Sequence, residues 1–229
     1  PIYHTHGLFV ACNLMAMVGG SMIFLPKFSV AAALLWMPRA TSMMGVPTFY
    51  TRLLASDDFT GAATRHMRLF ISGSAPLLAE THNQFAARTG QAILERYGMT
   101  ETNMITSNPY DGDRRAGTVG LPLAGIELRI ADAKTGTICA DGEIGIIELR
   151  GDNVFQGYWE MPDKTAESFR DDGFFITGDL AVRDADGYIS IVGRDKDMII
   201  SGGLNVYPRE VESLVDDVVG VIESAVIGV

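Results

Sequence analysis

One strand–helix–strand unit constrains the fold of this chain more than any other feature. The apolar runs at residues 68–71 and 92–97 predict strands, and residues 77–88 between them predict a helix. A right-handed crossover makes the two strands parallel, so their carboxyl ends point the same way. Open parallel sheets bind ligands at such ends. The loops that follow the strands, residues 72–76 and 97–101, are therefore predicted to line one crevice.

The remainder of the first half extends this pattern. Further strands are predicted at residues 22–25 and 42–46, the former after a buried helix and a Gly-Gly turn. Pro76 suits an early helical position, and Gly90 stands where a C-terminal cap belongs. Gly98 permits a turn after the second strand of the unit. Alternation of short strands with helices predicts a mostly parallel sheet covered by helices.

From about Val119 the pattern changes to short alternating runs separated by Asp-Gly pairs, which are typical of an antiparallel sheet or small barrel. The strands predicted there cover residues 126–130, 145–150 and 188–192. A new unit is predicted to begin after Arg194, with a strand at 198–201, a helix at 208–215 and a final strand at 221–229.

The predicted fold class is α/β, a parallel sheet with covering helices, followed by a small antiparallel β barrel-like subdomain and the beginning of a small α+β C-terminal domain. The predicted boundaries are residues 1–118 for the α/β part of a large domain, 119–194 for its antiparallel subdomain, and 195–229 for the C-terminal domain.

Charge and cysteine content exclude several classes of function. The net charge of −10 repels nucleic acid and anionic lipid surfaces, so neither is an expected partner. Cys12 and Cys139 lack the spacing of a zinc site or a disulfide framework, which favours a cytoplasmic location. The apolar stretch at residues 8–25 contains Asn13 and a Gly-Gly pair, so a buried helix, turn and strand explain it better than a membrane span.

The two loops of the crevice carry the residue types of a nucleotide site. Residues 72–76 are small and precede a helix, which lets backbone approach a flat ligand; an ordinary strand-to-helix turn is the alternative. Tyr97 offers an aromatic face for a base, Thr100 a hydroxyl for a phosphate, and Glu101 a carboxylate for Mg²⁺. The alternative is an amphipathic turn with Tyr97 in the core.

Two downstream segments add a candidate ribose site. Asp179 follows a Thr-Gly turn, where its carboxylate can accept from both hydroxyls of a ribose. Arg194 can donate to the same sugar. Taken singly, each residue is more often a turn residue or a surface charge.

In this order and spacing, the segments resemble the adenylate-forming superfamily of acyl-CoA synthetases, aryl-CoA ligases, luciferases and peptide-synthetase adenylation domains. The resemblance extends from residues 1–4 through the two crevice loops and residues 177–179 to residues 193–203. It implies ATP, Mg²⁺ and coenzyme A as the ligands of the enzyme. Within this superfamily, residues 43–54, 69–78 and 95–104 are similar to those of the malonyl-CoA synthetases.

The resemblance also implies a role for individual residues. Those expected at the nucleotide are Gly73, Ser74, Ala75, Glu95, Arg96, Tyr97, Thr100, Asp179 and Arg194. Those expected at the acyl substrate are His4, His6, Ser74, Arg96 and Met99. Thr100, Glu101 and His4 are the expected catalytic residues, with Glu101 also holding the metal. Asp195 is expected at the hinge between domains, and Lys196, Gly202 and Gly203 at the nucleotide or the pantetheine arm of coenzyme A.

Arg96 is the residue that bears on the acid. It stands on an apolar strand, and a buried guanidinium without a partner is costly. One interpretation is that Arg96, with His4 and Ser74, binds the distal carboxylate of a small dicarboxylic acid. The alternative is that Arg96 pairs with Glu101 or contacts a phosphate of the nucleotide.

The sequence therefore predicts an AMP-forming malonate:CoA ligase, with methylmalonate or another short acid as the alternative substrate. The Ser/Thr/Gly-rich phosphate loop and the catalytic Lys of the superfamily are not found in residues 1–229. The chain is thus expected to be an internal segment that is inactive by itself. An alternative of a different class is a non-catalytic nucleotide-binding or interaction segment.

Overall fold

The computed structural model describes residues 2–201, 204–216, 218, 220–221 and 224–228, without the side chains of Ile200, Leu204, Arg209 and Ser213. The chain divides into two compact units, Pro1–Gly120 and Leu121–Val229. The three domain boundaries expected from the sequence stay a prediction. Within the described residues, no helix combines the length and the hydrophobicity that a bilayer-spanning segment needs.

The first unit begins with a π-helix, His6–Asn13, which continues directly into a short α-helix. The helices of this unit are α1 Leu14–Met17, α2 Val30–Trp36, α3 Pro47–Leu54, α4 Gly61–Thr64 and α5 Ala79–Thr89. Ser29 begins α2 by accepting a hydrogen bond from the Ala32 amide at 3.2 Å. Gly90 ends α5 in the left-handed conformation, with φ at 74°, which confirms the predicted cap.

Four strands of the first unit form a mixed sheet in the order β1-β2-β3-β4. They are β1 Ser42–Gly45, β2 Leu69–Ser72, β3 Leu94–Met99 and β4 Asn103–Ser107. The first three are parallel, with Ser72 opposite Glu95, and β4 returns antiparallel with Arg96 opposite Ser107. The predicted strand–helix–strand unit and the α/β class are confirmed.

The core of the first unit centres on Phe85, which α5 presents to the other helices and the sheet. Its ring centroid lies 5.5 Å from those of Tyr50 and Phe59, and 4.8 Å from that of Phe70. All four rings are fully buried. Such aromatic pairs contribute about 0.5–1.5 kcal/mol each beyond their buried area. This packing fixes α5 against β2, and thereby fixes the loop that joins them.

The second unit contains a four-stranded antiparallel sheet in the order β6-β7-β8-β9. Its elements are β5 Leu121–Pro122, β6 Glu127–Ala131, β7 Gly145–Arg150, α6 Pro162–Glu167, β8 Phe175–Arg183, β9 Ile189–Arg194, β10 Ile199–Ser201, β11 Leu204–Val206 and α7 Pro208–Asp216. A 3-10 turn, Asp195–Asp197, follows β9, and β10 pairs antiparallel with β11. The predicted antiparallel region is confirmed.

The prediction for residues 8–25 is correct for the helix and for a turn, at residues 18–19, but wrong for the burial of the helix and for the strand. Residues 22–25 form no strand, because no described strand pairs with them, and Met22, Ile23 and Phe24 are 40–60% exposed. The helix before them is mostly exposed and buries only Val10. An apolar run by itself therefore does not specify a buried element.

Three further local predictions differ from the structure. Pro76 lies outside α5, which begins at Ala79 after the extended residue Leu78. Gly98 lies within β3, and the turn falls on residues 100–102 instead. The predicted final strand is absent at residues 221 and 224–228, while residues 222, 223 and 229 lie outside the described part of the chain.

Candidate active site

The loop between β2 and α5 is tied to β3 by a buried carboxylate. Glu95, which is 4% exposed, accepts a hydrogen bond from the Leu77 amide at 3.0 Å. Gly73 is buried, and a Cβ there would lie 3.4 Å from the Arg96 carbonyl oxygen. Ser74 has a φ of 70°, an unusual value for a residue with a side chain. The loop predicted to approach a nucleotide is therefore a tightly specified turn with Ser74 and Ala75 exposed.

The hairpin of β3 and β4 carries the expected phosphate and metal ligands at its turn. Thr100 is exposed, Glu101 is half-buried, and the Thr102 amide closes the turn on the Met99 carbonyl at 3.2 Å. A Cβ at Gly98 would overlap the carbonyl of Asn103, so only glycine allows this close strand approach. The close pairing holds the hydroxyl and the carboxylate side by side.

Arg96 is half-buried on β3, and its Nε–H donates to the Ser107 hydroxyl at 3.2 Å. Burial lowers the pKa of Arg96 below its usual value. In the part of the chain that the structure describes, no carboxylate forms an ion pair with this guanidinium. The predicted alternative of a pair with Glu101 is therefore not present.

Two of the residues expected at the acyl substrate meet directly. His6 Nδ1 and Ser74 Oγ lie 3.2 Å apart, at hydrogen-bonding distance. His6 Nε2 is buried and has no hydrogen-bond partner among the described residues. Burial, and next to it the charge of Arg96, lowers the pKa of His6 below its ordinary value of 6.5, so the ring is neutral at pH 7.

His4 and Met99 are placed less specifically. His4 is exposed, and its main-chain carbonyl accepts from the Leu8 amide at 2.8 Å. Its charge is among the causes that depress the pKa of His6, so its side chain lies in the same electrostatic environment. Met99 ends β3 and is half-buried. Their roles stay predictions.

In the second unit, the structure brings the two expected ribose residues together. Asp179 and Arg194 are register partners across β8 and β9, with Arg194 Nε 3.1 Å from an Asp179 carboxylate oxygen. Gly178 has a φ of 76°, and the Asp179 amide donates to Thr177 Oγ1 at 3.0 Å. Thr177 in turn donates to the Ile147 carbonyl, which anchors this part of β8 to β7. The Thr-Gly turn expected before Asp179 is therefore wrong, because residues 177–179 continue β8. Arg194 therefore lies near Asp179, as expected for two residues that contact one sugar, and the ion pair between them was not predicted.

The expected hinge and coenzyme A residues are only partly described. Asp195 and Lys196 are exposed in the 3-10 turn after β9. Gly202 and Gly203 lie outside the described residues.

The donor set suits a magnesium ion that is held chiefly by a substrate. Among the described residues, no group of three or more His, Cys, Asp or Glu side chains could hold a metal. Mg²⁺ commonly takes one or two carboxylates and completes its shell with water and phosphate oxygens. Glu101, with the Thr100 hydroxyl beside it, fits that pattern better than it fits a dedicated protein cage.

Sequence reasoning missed two buried polar residues behind Arg96. Ser107 accepts from Arg96, and Asn108, which is 1% exposed, hydrogen-bonds the Glu95 carbonyl through its main-chain amide at 2.9 Å. The sequence signal for these two residues was the polar run at residues 106–108, which covers the end of β4 and the residue after it.

Comparisons with known proteins agree with these features. A family model described as AMP-binding enzyme matches residues 1–159. The crystal structure of ATP-bound MatB from Rhodopseudomonas palustris is 63% identical, with a TM-score of 0.98 over 100% of this chain and 46% of that chain.

Two curated relatives carry the names of acid–CoA ligases. A sulfoacetate–CoA ligase of Cupriavidus necator is 41% identical over 235 residues, which are 100% of this chain and 45% of the relative. A malonate–CoA ligase of Arabidopsis thaliana is 38% identical over 251 residues, which are 100% of this chain and 40% of the relative. The chain thus spans less than half the length of these relatives.

Proposed function

Because the chain belongs to the family of AMP-binding enzymes, we propose that the full-length protein is an AMP-forming acid–CoA ligase that activates malonate. In the first step, a carboxylate of malonate attacks the α-phosphate of ATP to give malonyl-AMP and pyrophosphate. In the second step, the thiol of coenzyme A attacks the acyl carbon, displaces AMP and forms malonyl-CoA. Catalysis of this kind depends mainly on positioning and on stabilisation of phosphate charge.

The observation that carries the choice of acid is the state of Arg96. Its guanidinium is half-buried, donates to a neutral hydroxyl and has no ion-pair partner among the described residues. A buried positive charge is costly unless an opposite charge is supplied. An anionic group of the substrate, distant from the carboxylate that is activated, would supply it.

Two of the curated relatives support an acid with two anionic groups, although another, 37% identical, is named a long-chain-fatty-acid–CoA ligase. Malonate has a second carboxylate and sulfoacetate has a sulfonate, and these are the acids in the names of the two curated relatives. A guanidinium can bind either group through charge-assisted hydrogen bonds. His6, neutral and with Nε2 unpartnered among the described residues, lies beside Ser74 and would donate one further hydrogen bond.

The other site residues have proposed roles in binding ATP. Thr100 donates its hydroxyl to a phosphate oxygen, and Tyr97 offers its ring to the adenine. Asp179 accepts from the ribose hydroxyls, with Arg194 orienting its carboxylate at 3.1 Å. Glu101 would hold Mg²⁺, whose charge offsets that of the triphosphate.

The roles of the remaining residues also belong to this proposal. Gly73, Ala75 and Glu95 form the backbone wall beside the adenine, and His4 orients the carboxylate of the acid. Asp195 acts at the hinge after β9, with Lys196, Gly202 and Gly203 at the pantetheine arm.

An acid panel with the full-length enzyme tests the function, with pyrophosphate release as the readout. We expect malonate to be preferred over acetate and propionate, with methylmalonate and sulfoacetate as the rival substrates. Replacement of Arg96 by Ala removes the charge-assisted pair, which contributes about 1.5–3 kcal/mol, so the preference should fall about tenfold or more. Arg96→Lys keeps the charge and should retain part of the preference.

The control is Arg65→Ala, which removes an exposed guanidinium from the end of α4. It should leave the preference unchanged. Equal losses for malonate and propionate in Arg96→Ala would overturn the diacid assignment. A full-length protein that binds ATP but releases no pyrophosphate with any acid would favour a non-catalytic nucleotide-binding role instead.

A further inference from the structure

Ser107 lies opposite Arg96 in the antiparallel register of β3 and β4, behind the proposed acyl site. Its hydroxyl accepts from Arg96 Nε–H at 3.2 Å and donates to the Asn108 carbonyl at 2.7 Å. We propose that Ser107 is a positioning residue that aims the Arg96 guanidinium, and thereby sets the preference for acids with a second anionic group. This inference rests on the proposed function.

The direction of the hydrogen bonds makes Ser107 an acceptor toward Arg96. A serine hydroxyl has one hydrogen, and the short bond to the Asn108 carbonyl uses it. The lone pairs then face Arg96 Nε–H. Since Ser107 occupies the Nε side of the guanidinium, the edge formed by Nη1 and Nη2 is left for a ligand. That edge binds a carboxylate or sulfonate with two parallel hydrogen bonds.

Asn108, whose carbonyl accepts from Ser107, is itself held in place by several hydrogen bonds. Asn108 Nδ2 donates to the Thr118 carbonyl at 2.8 Å, and Asn108 Oδ1 accepts from the Arg115 amide at 3.0 Å. The Asn108 amide donates to the Glu95 carbonyl at 2.9 Å. A Cβ at Gly120 would overlap the main chain of Ser107 and Asn108, so the backbone of Gly120 packs directly against these two residues. The acceptor for Arg96 therefore has a fixed position.

A fixed guanidinium discriminates between acids better than a mobile one. Arginine has considerable rotamer freedom, and a ligand that must immobilise the side chain loses affinity. Because the distal carboxylate does not react, its contact with Arg96 stabilises the ground state and the transition state alike. If the Arg96 guanidinium is no longer held in position, KM for malonate should therefore rise more than kcat falls.

The test compares Ser107→Ala with Thr106→Val in the full-length enzyme. Thr106 precedes Ser107 on β4, points to the other face of the sheet and is fully buried, and its hydroxyl has no hydrogen-bond partner among the described residues. Ser107→Ala should raise KM for malonate about five- to tenfold, and should lower the malonate-to-propionate ratio of kcat/KM by a similar factor. Thr106→Val, which deletes a neighbouring buried hydroxyl, should leave this ratio unchanged. Ser107→Thr keeps a hydroxyl acceptor and should keep the malonate-to-propionate ratio of the unmodified enzyme.

A double-mutant comparison separates this inference from the proposed function. In the Arg96→Ala background, Ser107→Ala should cause no further fall in the malonate-to-propionate ratio, because the residue it acts through is gone. Equal effects in both backgrounds would overturn the positioning role. If Ser107→Ala gives no folded protein, Ser107→Cys keeps the volume with a poorer acceptor and should show the same selective loss. If Arg96→Ala is selective and Ser107→Ala is not, the positioning role fails alone; if Arg96→Ala is not selective, the diacid assignment itself fails.

Discussion

At the scale of single residues, the Glu148 carboxylate on β7 is a buried charge that pairs with two arginines. It has no exposed surface, and it lies 2.8 Å from Arg129 and 2.7 Å from Arg170. Arg129 also pairs with Asp172 at 2.6 Å and lies 3.8 Å from the centroid of the Phe174 ring. Two guanidiniums and two carboxylates thus share one cluster, with Glu148 buried at its centre and Asp172 half exposed at its edge.

Removal of Glu148 should destabilise the protein strongly. Glu148→Ala leaves two partly buried guanidiniums without their shared partner, and breaking a buried pair costs about 3–5 kcal/mol. The control is Glu127→Ala, which removes the partner of Arg150 from an ion pair whose side chains are 64% and 48% exposed. An exposed pair contributes at most about 1 kcal/mol. Urea-induced unfolding should separate the two variants clearly, and equal midpoints for both would contradict the role assigned to the cluster.

The sequence could not reveal this cluster, although it predicted the strand that carries it. Residues 145–150 were predicted as a strand, and Glu148 within them has the spacing of an exposed position. Arg129 comes from β6, while Arg170 and Asp172 come from the segment before β8. Only the register of three strands brings these charges together. The ion pairs of a buried charge depend on residues that are distant in sequence, and the local hydrophobic pattern carries no information about them.

At the scale of elements, the β3–β4 hairpin is the piece of structure that presents Thr100 and Glu101. Its register shifts between Tyr97 and Gly98, and the irregularity brings Gly98 close to Asn103. Asn103 itself has a φ of 57°, a value that short polar residues tolerate better than most. The geometry of the turn is therefore specified by two residues, one on each strand.

Gly98→Ala should disrupt this hairpin. An added Cβ would overlap the Asn103 carbonyl, which is main chain and cannot rotate away, so the two strands must separate. We expect a loss of adenylation activity greater than 100-fold, since displacement by about 1 Å can cost that much. Pyrophosphate release by the full-length enzyme measures it.

The matched control for this change is Gly90→Ala. Gly90 also has no side chain, and its φ is 74°, but nothing lies within 4 Å of the added Cβ. The expected cost is a backbone strain of about 1 kcal/mol in stability, with activity retained. Similar activities for the two variants would show that the close approach at Gly98 is dispensable.

The same hairpin marks where prediction of elements succeeded and where it stopped. β3 was predicted because residues 92–97 include a run of apolar residues, and the parallel pairing followed from the helix between the strands. β4 was not predicted, because Asn103–Ser107 contains only two apolar residues, Met104 and Ile105. Its strand conformation comes from pairing with β3. The error at residues 22–25 has the opposite cause, since apolar residues there lack a partner strand.

At the scale of the whole molecule, the alternation of elements was sufficient to predict the fold class. The helix-separated strands of the first unit and the antiparallel run of the second are both present. The ordered motifs identified the superfamily. Residues 73–76 and 100–101 directly follow β2 and β3, where sequence and local geometry are closely linked, whereas Asp179 lies within β8 beside Gly178. The alternation of elements does not predict the acid, because the proposed recognition by Arg96 depends on burial and on hydrogen bonds such as that between Arg96 and Ser107.

Acid stability is also a property of the whole molecule, and the buried His82 and the partly buried His6 give it a direction. Burial is the main cause that lowers the pKa of His82 as well as that of His6 from the ordinary value of 6.5. His82 Nε2–H donates to the Ile93 carbonyl at 3.1 Å, so protonation would add a charge to a ring held inside the fold. The folded state therefore binds fewer protons than the unfolded state. Stability should be fully present above about pH 6.5 and should fall as the pH drops through that value toward the folded-state pKa.

Thermal unfolding of the full-length protein between pH 7.5 and pH 5, about one unit on either side of the ordinary histidine pKa, checks this expectation. The midpoint should fall on the acid side of about pH 6.5, and His82→Gln should make the fall smaller, because glutamine can still donate to the Ile93 carbonyl but does not titrate. His66→Gln is the control, since His66 is an exposed histidine that also contacts a carbonyl, that of Met37 at 2.7 Å. A loss of the same size in all three proteins would assign the acid sensitivity elsewhere.

The aspartates whose pKa is lowered by hydrogen bonds, Asp132 and Asp172, would then be the next candidates, but their contribution is lost only as the pH falls below their ordinary value of 3.8. The pH at which the loss begins therefore distinguishes the two groups without a further variant.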